Sequence, residues 1–137
     1  MKREIKFRAW DKVYECYLYD VQNAYDTLSG CVKYENGEDA GYDEECFAGF
    51  LDNDQYVVEQ FTGLHDKNGL KIYEGDVLDI GLRNQDGKPV IAPVSYETYA
   101  AGYVLDNGEN GIWQRLTEDC EVIGNIFENP ELLEAKQ

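Results

Sequence analysis

Few side chains in this sequence combine a reactive type with a spacing that would use it. His65 is the single histidine and therefore the single ready general base near neutral pH. It stands beside Asp66, but no Ser or Cys is fixed near it in sequence to act as a nucleophile, and the residue reads as a solvated turn position. Cys16, Cys31, Cys46 and Cys120 are four thiols with no C-x-x-C pair among them, so neither a zinc knuckle nor a redox pair is indicated. Glu74 and Asp76 flank one glycine, a spacing that can serve acid–base chemistry. With no partner in view, Asp76 reads instead as a turn-stabilising carboxylate. The run DNGENG (106–111) invites comparison with a calcium loop, and the comparison fails at two ligands. Gly108 stands at the third position and Thr117 at the twelfth, so a hairpin turn is the better reading. No phosphate-binding, dinucleotide-binding or nucleophile-elbow motif occurs. The sequence therefore names no reaction, no catalytic residue, no cofactor and no metal, and it argues against an enzyme.

The elements around these residues are better defined. The central stretch Gln60–Ile80 reads as strand, turn, strand. Asn68-Gly69 between β-forming runs predicts a type I′ hairpin, and Asp66 is placed to hold it through local hydrogen bonds. Residues 2–10 alternate, with Ile5, Phe7 and Ala9 on one face and Lys6, Arg8 and Trp10 on the other, which predicts a half-buried strand. Asp11-Lys12 turns the chain into a second, antiparallel strand over Val13–Tyr19. The cations Lys6 and Arg8 are placed to lie over Tyr14 or Trp10. Cys46, Phe47, Phe50 and Leu51 have helical spacing for one or two turns. Further strands are expected over Gln55–Phe61, Val90–Tyr99, Gly102–Leu105 and Cys120–Phe127. Asn129-Pro130 then marks the start of a short closing helix. Short strands with glycine turns at steady spacing suggest a small barrel or sandwich within one domain covering 1–137.

Charge bounds the partners. With 28 acidic and 12 basic residues the net charge is −16, a field that repels phosphate backbones and makes nucleic acid an unfavourable partner. Acidic residues crowd Glu35–Asp54, which reads as a long, mobile acidic insertion. Lys2, Arg3, Lys6, Arg8 and Lys12 crowd the amino terminus. The sequence has neither an export signal nor an apolar run long enough for a membrane span. A cytoplasmic protein with reduced thiols is expected, and a homo-oligomer is left open.

Three blocks, REIKFRAWDK (Arg3–Lys12), QFTGLHDKNGLKIYEGDVL (Gln60–Leu78) and EVIGNIFENPELL (Glu121–Leu133), resemble the YopX family of phage and prophage proteins, in the family's order. The first and last match almost residue for residue. The resemblance implies a small SH3-like β-barrel with an extension and a short C-terminal helix. It also implies a phage or prophage accessory protein in a bacterial cytoplasm, and it brings no catalytic residues. Trp10, Phe7, Ile72, Tyr73, Ile123, Ile126 and Phe127 are the core expected from these blocks. Three functions compete: a non-enzymatic interaction module for a host or phage protein, in its sharpest form an acidic nucleic-acid mimic using Glu35–Asp54; a nucleic-acid-binding small barrel using the basic amino-terminal strand beside Trp10 and Tyr14; and, least favoured, a small enzyme using His65 and nearby carboxylates.

Overall fold

A computed structural model describes residues 4–24, 32–40, 47–107 and 112–134. The chain is mainly β and divides into two compact units, Met1–Phe61 and Thr62–Gln137. In chain order the strands are β1 (Phe7–Asp11), β2 (Cys16–Tyr19), β3 (Lys33–Tyr34), β4 (Tyr56–His65), β5 (Lys71–Tyr73), β6 (Asp76–Arg83), β7 (Pro89–Glu97), β8 (Gly102–Asn107), β9 (Ile112–Arg115) and β10 (Glu121–Asn125). Two short helices, α1 (Phe47–Asp52) and α2 (Glu131–Glu134), accompany them. The strands form two antiparallel five-stranded sheets, ordered β3-β2-β1-β4-β5 and β10-β6-β7-β8-β9. Neither sheet closes on itself among the described residues, so what stands of the expected barrel is its β-rich class. The division between the units falls inside β4, not in a linker.

In the first unit, Ala9 pairs with Leu18 on one side and Val58 on the other. Ala9 and Leu18 join Val21, Val32 and Phe50 in one buried apolar cluster. Phe50 reaches it from α1, the helix expected from the spacing of Phe47, Phe50 and Leu51. The strand expected over residues 2–10 begins at Phe7, and it is not half-buried. Both faces are covered from Arg8 to Asp11. The second strand is shorter than expected, because the turn runs from Lys12 to Glu15 and leaves Val13 and Tyr14 exposed. Asp11 builds that turn: Oδ1 accepts the backbone N–H groups of Val13 and Tyr14 at 2.9 and 3.1 Å. Its carbonyl accepts the N–H of Glu15, which sits in the left-handed region at φ 55°.

The second unit packs Ile72, Leu78, Ala92, Val94, Leu105 and Cys120 together. Its strands β6, β7, β8 and β9 form a meander. The last strand, β10, returns to pair with the long strand that opens the meander, β6. β7 serves two neighbours in turn, pairing with β6 from Pro89 to Pro93 and with β8 from Val94 to Glu97. The outer end of the β6–β7 hairpin is exposed from Gly81 to Pro89. A register shift there, between Asp79 and Arg83, coincides with Gly81 at φ +86°, whose N–H is taken by Asp79 Oδ1.

The hairpin at Asn68-Gly69 exists, but its turn is not type I′. Only Gly69 has positive φ (+88°). Its N–H donates to Asp66 O, and Asp66 N–H donates to Leu70 O. That pattern is a three-residue loop, a type I turn followed by a left-handed glycine. Asn84–Lys88 and Tyr34–Glu38 repeat it around Gly87 and Gly37. Asn68 keeps negative φ because the extra loop residue moves the left-handed position to the glycine alone.

Ile123, expected in the core, is exposed, while Ile126 and Phe127 are half-buried. β10 carries a register shift between Val122 and Gly124, and the shifted residue turns out of the packed face. Gly124 itself lies under the start of α2. A Cβ built on it would stand 2.6 Å from Asn129 Oδ1 and 2.9 Å from Leu132 Cδ1. Asn129 Oδ1 accepts the Asn125 N–H, and Asn125 Oδ1 accepts those of Phe127 and Glu128, so this corner is built from side-chain amides. Gly124→Ala is therefore expected to destabilise the protein by about 1–3 kcal/mol, the usual cost of overpacking, as a lower urea midpoint at unchanged m-value. An unchanged midpoint would show that α2 is free to shift.

Candidate functional site

The residues singled out in the sequence do not converge. His65 lies at the end of β4 and is half-buried, not at the exposed turn tip. Its backbone N–H donates to Glu118 Oε2 at 3.0 Å. Cys16 is half-buried and Cys120 is buried, and Cys31 and Cys46 lie outside the described residues. Burial pushes the Cys120 thiol up, and the charges of Asp119, Asp79 and Asp66 add to this against an opposing contact with Thr117. Such a thiol is a packing group and not a nucleophile. Asp76 is buried, and its Oδ2 accepts the Tyr73 N–H at 2.8 Å, the turn-holding role expected of it. Of the DNGENG run, Asp106 and Asn107 are described, and Asn107 Nδ2 donates to Ile91 O. No group of three or more potential metal ligands lies together among the described residues. No helix among them is long and apolar enough to cross a membrane.

Three constellations do stand out, and the first is in the amino-terminal unit. Arg8 on β1 lies directly opposite Glu59 on β4, and Arg8 Nε donates to Glu59 Oε1 at 2.8 Å. The hydroxyl of Tyr17, on β2, donates to the same oxygen at 2.9 Å. The guanidinium lies 4.3 Å from the centroid of the Tyr17 ring, and Trp10 packs edge-on against that ring at 5.1 Å. Both charged side chains are buried. The cation–π contact expected for Arg8 thus exists with Tyr17, because Tyr14 is carried out into the turn. Alternation alone places Arg8 with Lys6 and Trp10 on one face of a half-buried strand and does not show that Arg8 is buried. The signal that could have shown it was Glu59, the single carboxylate of β4, standing between Val58 and Gln60 two residues before Phe61. Nearby, Asp11 Oδ1 also accepts Gln55 Nε2 at 3.0 Å. Asp11 Oδ2 is a buried oxygen with no hydrogen-bond partner.

The second constellation centres on Asp66 at the β4–β5 turn. Oδ1 accepts the N–H groups of Asn68 and Leu70, both at 2.9 Å, and Oδ2 accepts that of Val122 on β10, also at 2.9 Å. Burial would raise this carboxyl's pKa. The backbone N–H groups of Val122, Leu70, Asn68 and Gly69 outweigh it and hold the group below its usual 3.8.

The third is exposed. Trp113 on β9 donates its indole N–H to the Tyr99 hydroxyl at 3.0 Å, with the two rings stacked at 29°. Tyr99 belongs to a one-turn 3₁₀ helix, Thr98–Ala100, which ends on Ala101 at φ 51°. Arg115 Nη1 braces that turn by donating to Ala100 O at 2.9 Å.

The first two constellations hold strands and turns in register, and of the three only the third is exposed. Comparison with known proteins agrees with the sequence blocks. Among curated proteins, none matches the chain. The crystal structure of protein EF1440 from Enterococcus faecalis is similar over 96% of this chain and 99% of that one, at 28% identity and a TM-score of 0.59. The family profile described as YopX protein matches residues 6–134. The chain belongs to the YopX family.

Proposed function

We propose that the protein is a non-enzymatic interaction module of a phage or prophage, acting in the bacterial cytoplasm on a basic host or phage protein. The observation that carries this reading is how its buried ionisable groups are used. Asp66 and Asp76 bind backbone N–H groups, Asp11 builds a turn, and Glu59 is matched to Arg8. Among the described residues the other carboxylates are exposed or half-buried, and a chain of net charge −16 steers cationic partners. Glu38, Asp39, Asp52 and Asp54 of the acidic insertion are exposed, which suits the sharper version, mimicry of a nucleic-acid backbone. The order β10-β6-β7-β8-β9, with the last strand returning beside the first, supports an SH3-like reading of the carboxy-terminal unit.

The competing nucleic-acid reading needs Arg8 on an outer stripe. Arg8 is buried against Glu59, and Lys6 lies near Glu4 and Asp20, at 4.0 and 3.5 Å. The test is an affinity pulldown from nuclease-treated host lysate, eluted by a salt gradient. A protein released at moderate salt by the native chain, and lost when Glu38, Asp39, Asp52 and Asp54 are changed to their amides, is the expected result. A mobility shift of DNA or RNA at about 50 mM salt, where electrostatic binding is strongest, would overturn it.

A further inference from the structure

We infer that the stacked Tyr99–Trp113 pair is a docking platform for an extended, arginine- or lysine-bearing segment of a partner protein, an inference that rests on the interaction-module reading above. Tyr99 is 71% exposed and Trp113 47%, although each ring could bury a large apolar area. Their exposure is built into the backbone. The 3₁₀ turn that carries Tyr99 ends on a non-glycine residue in the left-handed region, and Arg115 ties that turn to the β9 strand. The indole N–H is already bonded to the Tyr99 hydroxyl, so the two rings share one orientation and their outer faces need no rearrangement to bind.

The register states what surrounds them. Trp113 lies opposite Asp106, and Arg115 opposite Val104. Val104 in turn lies opposite Ser95, so Glu97, two residues further along β7, is on the same sheet face. Asp106 stands directly across from Trp113, and Glu97, which accepts the Ser95 hydroxyl, lies further along the same face, so a cation is attracted by the ring quadrupole and by the acidic character of the face. Two arginines share this face among the described residues: Arg115 donates a guanidinium N–H to the Ala100 carbonyl, and Arg83, at the far end of the sheet opposite Pro89, lies 3.8 Å from an Asp79 carboxylate oxygen. A phosphate-bearing strand would stack on the same rings, but it would meet both carboxylates and the field of the whole chain. An uncharged proline-rich segment would gain nothing from either carboxylate.

The test is fluorescence anisotropy with a labelled (Arg-Gly)4 amide peptide at about 50 mM salt, where charge-driven binding is strongest. Peptides of (Gln-Gly)4, oligoproline and oligo-dT serve as competitors. Both rings are exposed, so Tyr99→Ala/Trp113→Ala should fold as the native chain does, which circular dichroism checks. The expected result is peptide binding weakened about tenfold by the double substitution, and by far less in Tyr99→Phe, which keeps the ring. Equal binding by native and doubly substituted protein would overturn the platform while leaving the acidic interaction module standing. No binding by the native protein would overturn both for this class of partner. Tighter competition by oligoproline or oligo-dT than by unlabelled (Arg-Gly)4 would overturn the choice of occupant.

Discussion

Glu59→Ala should destabilise the protein by about 3–5 kcal/mol, among the largest losses available to any single change in it. The reason is what the substitution leaves behind. Arg8 keeps its charge at every accessible pH, and it sits 4% exposed on a strand covered on both faces. The carboxylate that faces it at 2.8 Å is gone, and the Tyr17 hydroxyl loses the same acceptor. Removing both charges is a different experiment. Arg8→Met/Glu59→Leu replaces the pair with apolar groups of similar length, so no buried charge is stranded, and much of the lost stability should return. Urea denaturation of the two single variants and the double variant measures the coupling directly. If Glu59→Ala costs less than about 1 kcal/mol, the pair is solvated in solution and its burial is not what the geometry indicates.

Asp66→Ala comes next, with an expected loss of about 3 kcal/mol or more. Three backbone N–H groups, those of Asn68, Leu70 and Val122, lose a charged acceptor at once, and each such bond contributes about 1.5–3 kcal/mol before the loop relaxes. The effect has a definite pH dependence. The folded pKa lies below the unfolded value of 3.8, so the fold favours the ionised carboxyl. Its contribution is fully present above the unfolded pKa and is lost as pH falls through 3.8 and then through the lower folded value. Native protein and Asp66→Ala should differ most near neutral pH and converge in acid. A gap that stays constant from pH 7 to pH 3 would show that the carboxylate's charge is not what the N–H groups recognise. Asp66→Asn separates the two contributions, because the amide oxygen can accept from the turn while its nitrogen cannot accept from Val122.

Much of this architecture could be read in the sequence, and the failures have specific causes. Turn chemistry is local, so the hairpin at Asp66–Leu70, the turn-holding role of Asp76 and α1 were all legible. Periodicity assigns faces but not what covers them. It grouped Arg8 with Lys6 and Trp10 but could not show its burial, because its partner lies 51 residues away on a strand that alternation cannot pair with it. Asn68-Gly69 gave the right turn position and the wrong type, since one extra loop residue changes which φ must be positive. Ile123 was misplaced by a bulge, which reverses the inward and outward assignment from that residue onward. The Tyr99–Trp113 platform had no sequence signal at all. It depends on a left-handed Ala101 and on two strands placed side by side by the meander.

The return of β10 to β6 has a consequence during synthesis. Asp66 waits for Val122, 56 residues later in the chain, and the outer edge of β6 waits for Glu121–Asn125. At about 5–20 residues per second, the ribosome takes several seconds to make that stretch. For that interval the nascent meander carries an open strand edge, an invitation to pair with a neighbouring chain on the same message.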